Sequence, residues 1–84
     1  MTATDLVQVR YFAVARARVG VAEEWLPGAL GLAGIVAAVT ERTPEASATL
    51  AGCSFLVNGL RTFPTDEPLV AGAVVDVLPP FAGG

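Results

Sequence analysis

The dipeptide Asn58-Gly59 stands between two β-rich runs, Ser54 to Val57 and Leu60 to Phe63, and constrains this chain more than any other feature. A two-residue hairpin turn wants positive φ at both central positions, which Gly takes freely and Asn takes more readily than most residues. The pair therefore predicts two antiparallel strands joined by a tight turn.

The rest of the chain supplies elements that fit around such a hairpin. Leu6 to Phe12 alternates as a strand, with Val7, Val9 and Tyr11 toward a core and Leu6, Gln8, Arg10 and Phe12 on the other face. Ala13 to Val19 is rich in Ala and Arg, suits a short helix and stops at Gly20, after which a short strand is expected at Ala22 to Leu26. Pro27-Gly28 turns the chain. Leu32, Ile35, Val36 and Val39 then follow the i, i+3, i+4, i+7 spacing of a helix with one apolar face, ended by Pro44. Asp66 to Gly72 reads as a loop, and Val74 to Leu78 as a last strand that Pro79-Pro80 halts.

This order predicts an α+β fold in two layers: one main helix, with a short helix beside it, packed across a mixed four- or five-stranded sheet. The boundaries divide the chain into a domain, 1–78, and a flexible tail, 79–84. With 84 residues there is room for one small core, so any chemistry is simple or shared with a partner.

Composition narrows the function. All five basic residues are Arg (Arg10, Arg16, Arg18, Arg42 and Arg61), lysine is absent and the net charge is -3, which leaves no electrostatic footprint for nucleic acid. The absence of His and the single Cys53 leave no zinc ligand set and no intrachain disulfide, which favours the cytoplasm. Asp5 and Arg10 sit where a signal peptide needs its apolar run. The longest uncharged stretch, Trp25 to Thr40, is too short for a membrane span and holds Pro27 and three glycines. Cys53, with no His to act as base, reads as a small core residue, and the acidic pairs Glu23-Glu24 and Asp66-Glu67 read as solvated surface charge.

The tail Pro79-Pro80-Phe81-Ala82-Gly83-Gly84 carries the chemistry. Gly83 and Gly84 have no side chains to obstruct a narrow groove, so the carboxylate of Gly84 is open to bulky reactants. Adenylation turns such a carboxylate into a mixed anhydride, and a sulfur nucleophile then displaces AMP to leave a thiocarboxylate. Pro79 and Pro80 stiffen the base, and six residues at about 3.3 Å each reach roughly 20 Å, enough to enter another protein's active site. Phe81 is the apolar anchor along the tail. Strand alternation places Phe12 and Leu78 on faces that otherwise carry polar groups, which makes Phe12, Leu78 and Phe81 the candidate partner-binding residues.

A bare diglycine is a weak signal, but the wider pattern is not. VRYFAVARARVG (Val9 to Gly20), the helix closing at Pro44, VNG (Val57 to Gly59), DEPL (Asp66 to Leu69) and VDVLPPFAGG (Val75 to Gly84) together resemble the small subunit of molybdopterin synthase, the MoaD-type branch of the ubiquitin-like β-grasp sulfur carriers. The resemblance runs from about Leu6 to Gly84. It implies that a ubiquitin-activating-type adenylyltransferase activates Gly84 with ATP and that a sulfurtransferase system makes the thiocarboxylate. It also implies that the large synthase subunit hosts sulfur transfer to cyclic pyranopterin monophosphate. The chain is then no enzyme by itself, binds no cofactor or metal, and uses ATP only through its activating enzyme.

Other readings stay open: a sulfur carrier for thiamine or cysteine synthesis, a ubiquitin-like modifier joined to lysines of target proteins, or an interaction domain with an inert tail. The chain departs from the pattern at Gly31 and Gly34, poor helix formers inside the main helix, and at Val70-Ala71-Gly72-Ala73, where a more charged turn is common.

Overall fold

The computed structural model describes residues 5–80, and in it Asn58 and Gly59 take φ of 50° and 83° and form the expected turn. The elements are β1 (Leu6–Tyr11), α1 (Ala13–Val19), β2 (Glu23–Pro27), α2 (Gly31–Arg42), α3 (Ser47–Ala51), β3 (Ser54–Val57), β4 (Leu60–Arg61) and β5 (Val74–Leu78). Single 3₁₀ turns at Gly28–Leu30 and Pro44–Ala46 lead into α2 and α3. The sheet has five strands in the order β2-β1-β5-β3-β4. Only the central pair, β1 with β5, is parallel; β1 with β2, β5 with β3 and β3 with β4 are antiparallel. The sheet is therefore mixed, as the element order predicts.

The alternation in β1 falls as expected, with Val7, Val9 and Tyr11 buried and the residues between them half-buried. Val75 and Val77 from β5 and Phe55 from β3 share that inner face, where α2 lays Leu32, Ile35 and Val39 against them. Each fully buried side chain of this kind contributes roughly 1.5–3 kcal/mol, so the seam between α2 and the sheet is a major source of the favourable folding energy. α1 ends at Gly20 with φ 93°, the left-handed conformation expected of it.

Several details differ from expectation. β2 begins and ends one residue later than Ala22 to Leu26, and β4 closes at Arg61 rather than Phe63. α2 stops at Arg42, and Pro44 opens the next 3₁₀ turn at its first position, where a missing N–H costs nothing. That turn runs into α3, which the sequence does not announce and which buries Ala46 and Leu50 against the core. β5 ends at Leu78, and of the two prolines that follow, Pro79 is buried and Pro80 exposed.

Glu24 is not a solvated charge. It accepts a hydrogen bond from the Tyr11 hydroxyl at 2.6 Å, and two from Arg42, each 2.8 Å, which ties β2 to the last turn of α2. Chiefly because Arg42 donates to it, the Glu24 carboxyl is held below the usual carboxylate range. Burial, with the bond to Glu24 second, pushes the Tyr11 hydroxyl well above an ordinary phenol. A lowered carboxyl value stabilises the fold above the unfolded-state value of about 4.3 and loses that contribution as pH falls through the lowered value. Because Arg42 is about half exposed, the expected size is modest. Glu24→Gln is expected to cost about 1 kcal/mol at neutral pH and progressively less below about pH 4. Urea midpoints of both proteins across that range check it; a constant difference refutes the assignment.

Candidate functional site

The parallel register of β1 and β5 decides where the candidate residues fall. Tyr11 is paired with Val77, so the residues that follow them, Phe12 just past the end of β1 and Leu78 at the end of β5, lie at the same end of the sheet. Neighbouring strands lie about 4.8 Å apart, which places the two within side-chain contact range. Phe12 is 37% exposed and Leu78 half-buried, both on the outer face. Phe12 holds this position as the residue before α1: its N–H donates to the Val77 carbonyl at 3.3 Å, and its own carbonyl accepts from Ala15 and Arg16.

Between these two residues and the middle of the face lies an ion pair that sequence reasoning missed. Arg10 and Asp76 are register partners, and the guanidinium donates to both carboxylate oxygens, Nε to Oδ1 at 2.6 Å and Nη2 to Oδ2 at 3.0 Å. The hydrogen bond to Asp76 raises the Arg10 pKa further. The same guanidinium sits 5.8 Å from the centre of the Phe12 ring. Only the parallel register puts Arg10 opposite Asp76, and no local pattern in the sequence announces it. Trp25, 55% exposed and opposite Gln8 on β2, extends the outer face toward its far edge.

β5 carries the chain directly from this place into the tail. Leu78 pairs with Ser54, Pro79 is buried and Pro80 is exposed. Phe81, Ala82, Gly83 and Gly84 lie outside the described residues. The structure thus brings Phe12 and Leu78 together at the root of the tail, while Phe81 and the Gly84 carboxylate are assigned from sequence alone. Cys53 sits one residue beyond Ser54, half-buried, with its Sγ donating to the Thr49 carbonyl at 3.1 Å. Burial pushes its thiol pKa up, as for a core residue rather than a nucleophile. Among the described residues no group of His, Cys, Asp and Glu is placed to hold a metal ion, and no helix is long and apolar enough to cross a membrane.

Comparison with known proteins places this geometry. The ThiS family model matches residues 9–84. A Pyrococcus furiosus protein assigned as molybdopterin converting factor subunit 1 is 30% identical, with a TM-score of 0.75 over 89% of this chain and 97% of that one. The crystal structure of the small archaeal modifier SAMP1 from Haloferax volcanii is 18% identical, with a TM-score of 0.74 over 94% of this chain and 99% of that one. A complex of subunits 1 and 2 of molybdopterin-converting factor from Helicobacter pylori contains a chain 24% identical, with a TM-score of 0.68 over 94% of this chain and 99% of that one. No curated protein sequence matches the chain.

The mixed five-stranded sheet with helices on one face is accordingly a ubiquitin-like β-grasp, as the sequence resemblance implies. The chain belongs to the ThiS family of small sulfur carriers.

Proposed function

We propose that this chain is the sulfur-carrier subunit of a molybdopterin synthase, with the carboxylate of Gly84 as its working group. The observation that carries the reading is the place of Phe12 and Leu78, each one residue past the Tyr11–Val77 register pair, at the end of the sheet where β5 leads toward the C-terminal residues Gly83-Gly84. A partly exposed aromatic and an aliphatic residue at the root of a narrow tail hold the domain against a partner while the tail enters it. The match to a molybdopterin converting factor subunit at 30% identity supports this branch, and the Helicobacter pylori complex supports a large-subunit partner.

The chemistry follows from the terminus. A ubiquitin-activating-type adenylyltransferase joins the Gly84 carboxylate to the AMP moiety of ATP, releasing pyrophosphate. A sulfur nucleophile then attacks the acyl carbon and AMP leaves, so Gly84 ends as a thiocarboxylate. In the large subunit that sulfur passes to cyclic pyranopterin monophosphate and the carboxylate returns. The chain supplies reach and docking, while ATP binding and catalysis belong to its partners.

Intact mass spectrometry after incubation with the adenylyltransferase, ATP and a sulfur donor tests the reading. The expected result is replacement of one oxygen by sulfur at Gly84, followed by loss of that sulfur when the large subunit and the pterin substrate are added. Isopeptide adducts on other proteins in place of a thiocarboxylate overturn it in favour of a protein modifier.

The docking surface has its own test. Phe12→Ala and Leu78→Ala are each expected to weaken binding to the large subunit by roughly 1–4 kcal/mol. Phe12 is partly exposed, so Phe12→Ala is expected to cost far less stability than the roughly 3–5 kcal/mol of truncating a buried Phe. Titration calorimetry beside thermal melts separates the two effects. A large stability loss with unchanged binding of the folded fraction removes Phe12 from the interface.

A further inference from the structure

β4 is the last strand in the order β2-β1-β5-β3-β4, and among the described residues its far side has no partner strand. The Thr62 N–H donates to the Phe55 carbonyl at 2.9 Å, which carries the β3–β4 ladder one residue beyond the Leu56–Arg61 pair. Hydrogen-bonded and non-hydrogen-bonded pairs alternate along an antiparallel ladder. Leu60 and Thr62 therefore turn their backbone groups toward β3, and Arg61, between them, turns its N–H and carbonyl outward. Its side chain lies on the outer face, because its register partner Leu56 is in turn opposite Asp76.

On the inner side of this edge is a recess of about 350 Å³, bounded by Val36 of α2, Leu50 of α3, Cys53, Phe55 of β3 and the segment Arg61 to Phe63. A volume at the small end of ligand pockets suits one or two apolar side chains rather than a cofactor. Leu60 and Phe63, 73% and 72% exposed, leave large apolar groups uncovered on the same edge. Arg61 is the one charged residue among those that line the recess. Its guanidinium stands 5.6 Å from the centre of the Phe63 ring, and among the described residues no carboxylate is bridged to it.

These features fix what an added strand must carry. A residue that exchanges both backbone hydrogen bonds with Arg61 places its side chain on the outer face, directly across from the guanidinium, where a carboxylate completes the pair. The residues before and after it point to the inner face, over the recess, and must be apolar there. We propose that the β4 edge and this recess together bind an extended segment of another protein that reads apolar, acidic, apolar, taken up as a sixth strand. The site is two strands, roughly 10 Å, from β5 and uses neither Phe12 nor Leu78.

The probe is the capped peptide acetyl-Gly-Thr-Phe-Asp-Val-Thr-Gly-amide, titrated into the whole chain and followed by amide NMR. The expected shifts centre on Arg61 to Phe63, Cys53 and Phe55, and at saturation the Arg61 amide exchanges with solvent at least five times more slowly. Cys53, the single thiol, reports independently: its alkylation by iodoacetamide is expected to slow at least fivefold in the complex. Methylation of the peptide's Asp nitrogen, which removes its N–H, is expected to weaken binding at least tenfold.

Arg61→Ala, and Asn in place of the peptide's Asp, are each expected to weaken binding at least fivefold, with little further loss when the two are combined. Arg61 is exposed, and the amide spectrum of the variant shows directly that it is folded. Phe12→Ala is expected to bind the peptide as the parent does. Shifts centred on Phe12 and Leu78, equal binding of the methylated peptide, unchanged binding by Arg61→Ala, or no shift at millimolar peptide each overturn the proposal.

Discussion

A chain ending at Gly83 is expected to accumulate at least a hundredfold less thiocarboxylate than the parent under the same activating conditions. The truncated protein still has a terminal carboxylate on a glycine, so the argument rests on position. Pro79 and Pro80 restrict the backbone ahead of the last four residues, and each residue of an extended chain adds about 3.3 Å of reach. Removing one residue withdraws the carboxylate by that distance from the phosphate it must attack. A displacement of about 1 Å already costs on the order of a hundredfold where reacting atoms are held for attack. The deletion also brings Ala82 next to the terminus, where its methyl group narrows access. Stability is not expected to change, because the core cluster of the described residues is built from side chains upstream of Leu78. Intact mass and thermal melts of the two proteins check both halves, and thiocarboxylate at the parental rate in the truncated chain removes Gly84 from its role.

What could be read from the sequence was local, and what could not was long-range. α1 and β5 fall where a seven-residue Ala/Arg run before Gly20 and a β-rich run before Pro79 put them. The Asn58-Gly59 turn forms because its conformational demand is met by those residue types. α3 was illegible: five residues, Ser47–Ala51, with no side-chain cap form a helix only because Leu50 packs into the core. Glu24 was misread as solvated because its partners, Tyr11 and Arg42, come from β1 and α2. At the site, alternation put Phe12 and Leu78 on outer faces, but their adjacency and the Arg10–Asp76 pair depend on the parallel register of β1 and β5, which the sequence does not encode locally.

The same limit applies to Gly31, which in sequence is merely a poor helix former and in the structure cannot be replaced. Its φ of 70° and ψ of 168° lie in a region essentially restricted to glycine, at a cost of roughly 1–3 kcal/mol for any other residue. A Cβ there would stand 2.7 Å from the Asp66 carbonyl carbon and 2.8 Å from the carbonyl oxygens of Asp66 and Thr65. These atoms are backbone, so relief requires the loop after β4 to move away from α2. That movement also breaks the bond from the Ala33 N–H to the Thr65 carbonyl, 2.9 Å long, and a lost backbone hydrogen bond is worth about 1 kcal/mol.

Gly31→Ala is therefore expected to destabilise the domain by about 3 kcal/mol, lowering the melting temperature by roughly 12–24 °C for a chain of this size. Gly52→Ala is the control. Gly52 has φ of -94° and its Cβ would meet only the Thr49 carbonyl oxygen at 3.7 Å and the Ala48 carbonyl oxygen at 4.0 Å, ordinary contacts, so Ala is expected to be neutral or to stabilise by about 0.4–1 kcal/mol. Urea unfolding of both variants with unchanged m-values measures the difference. Equal midpoints for the two would mean that Gly31 serves α2 only through helix propensity, and that the loop bearing Thr65 and Asp66 is not fastened to the start of that helix.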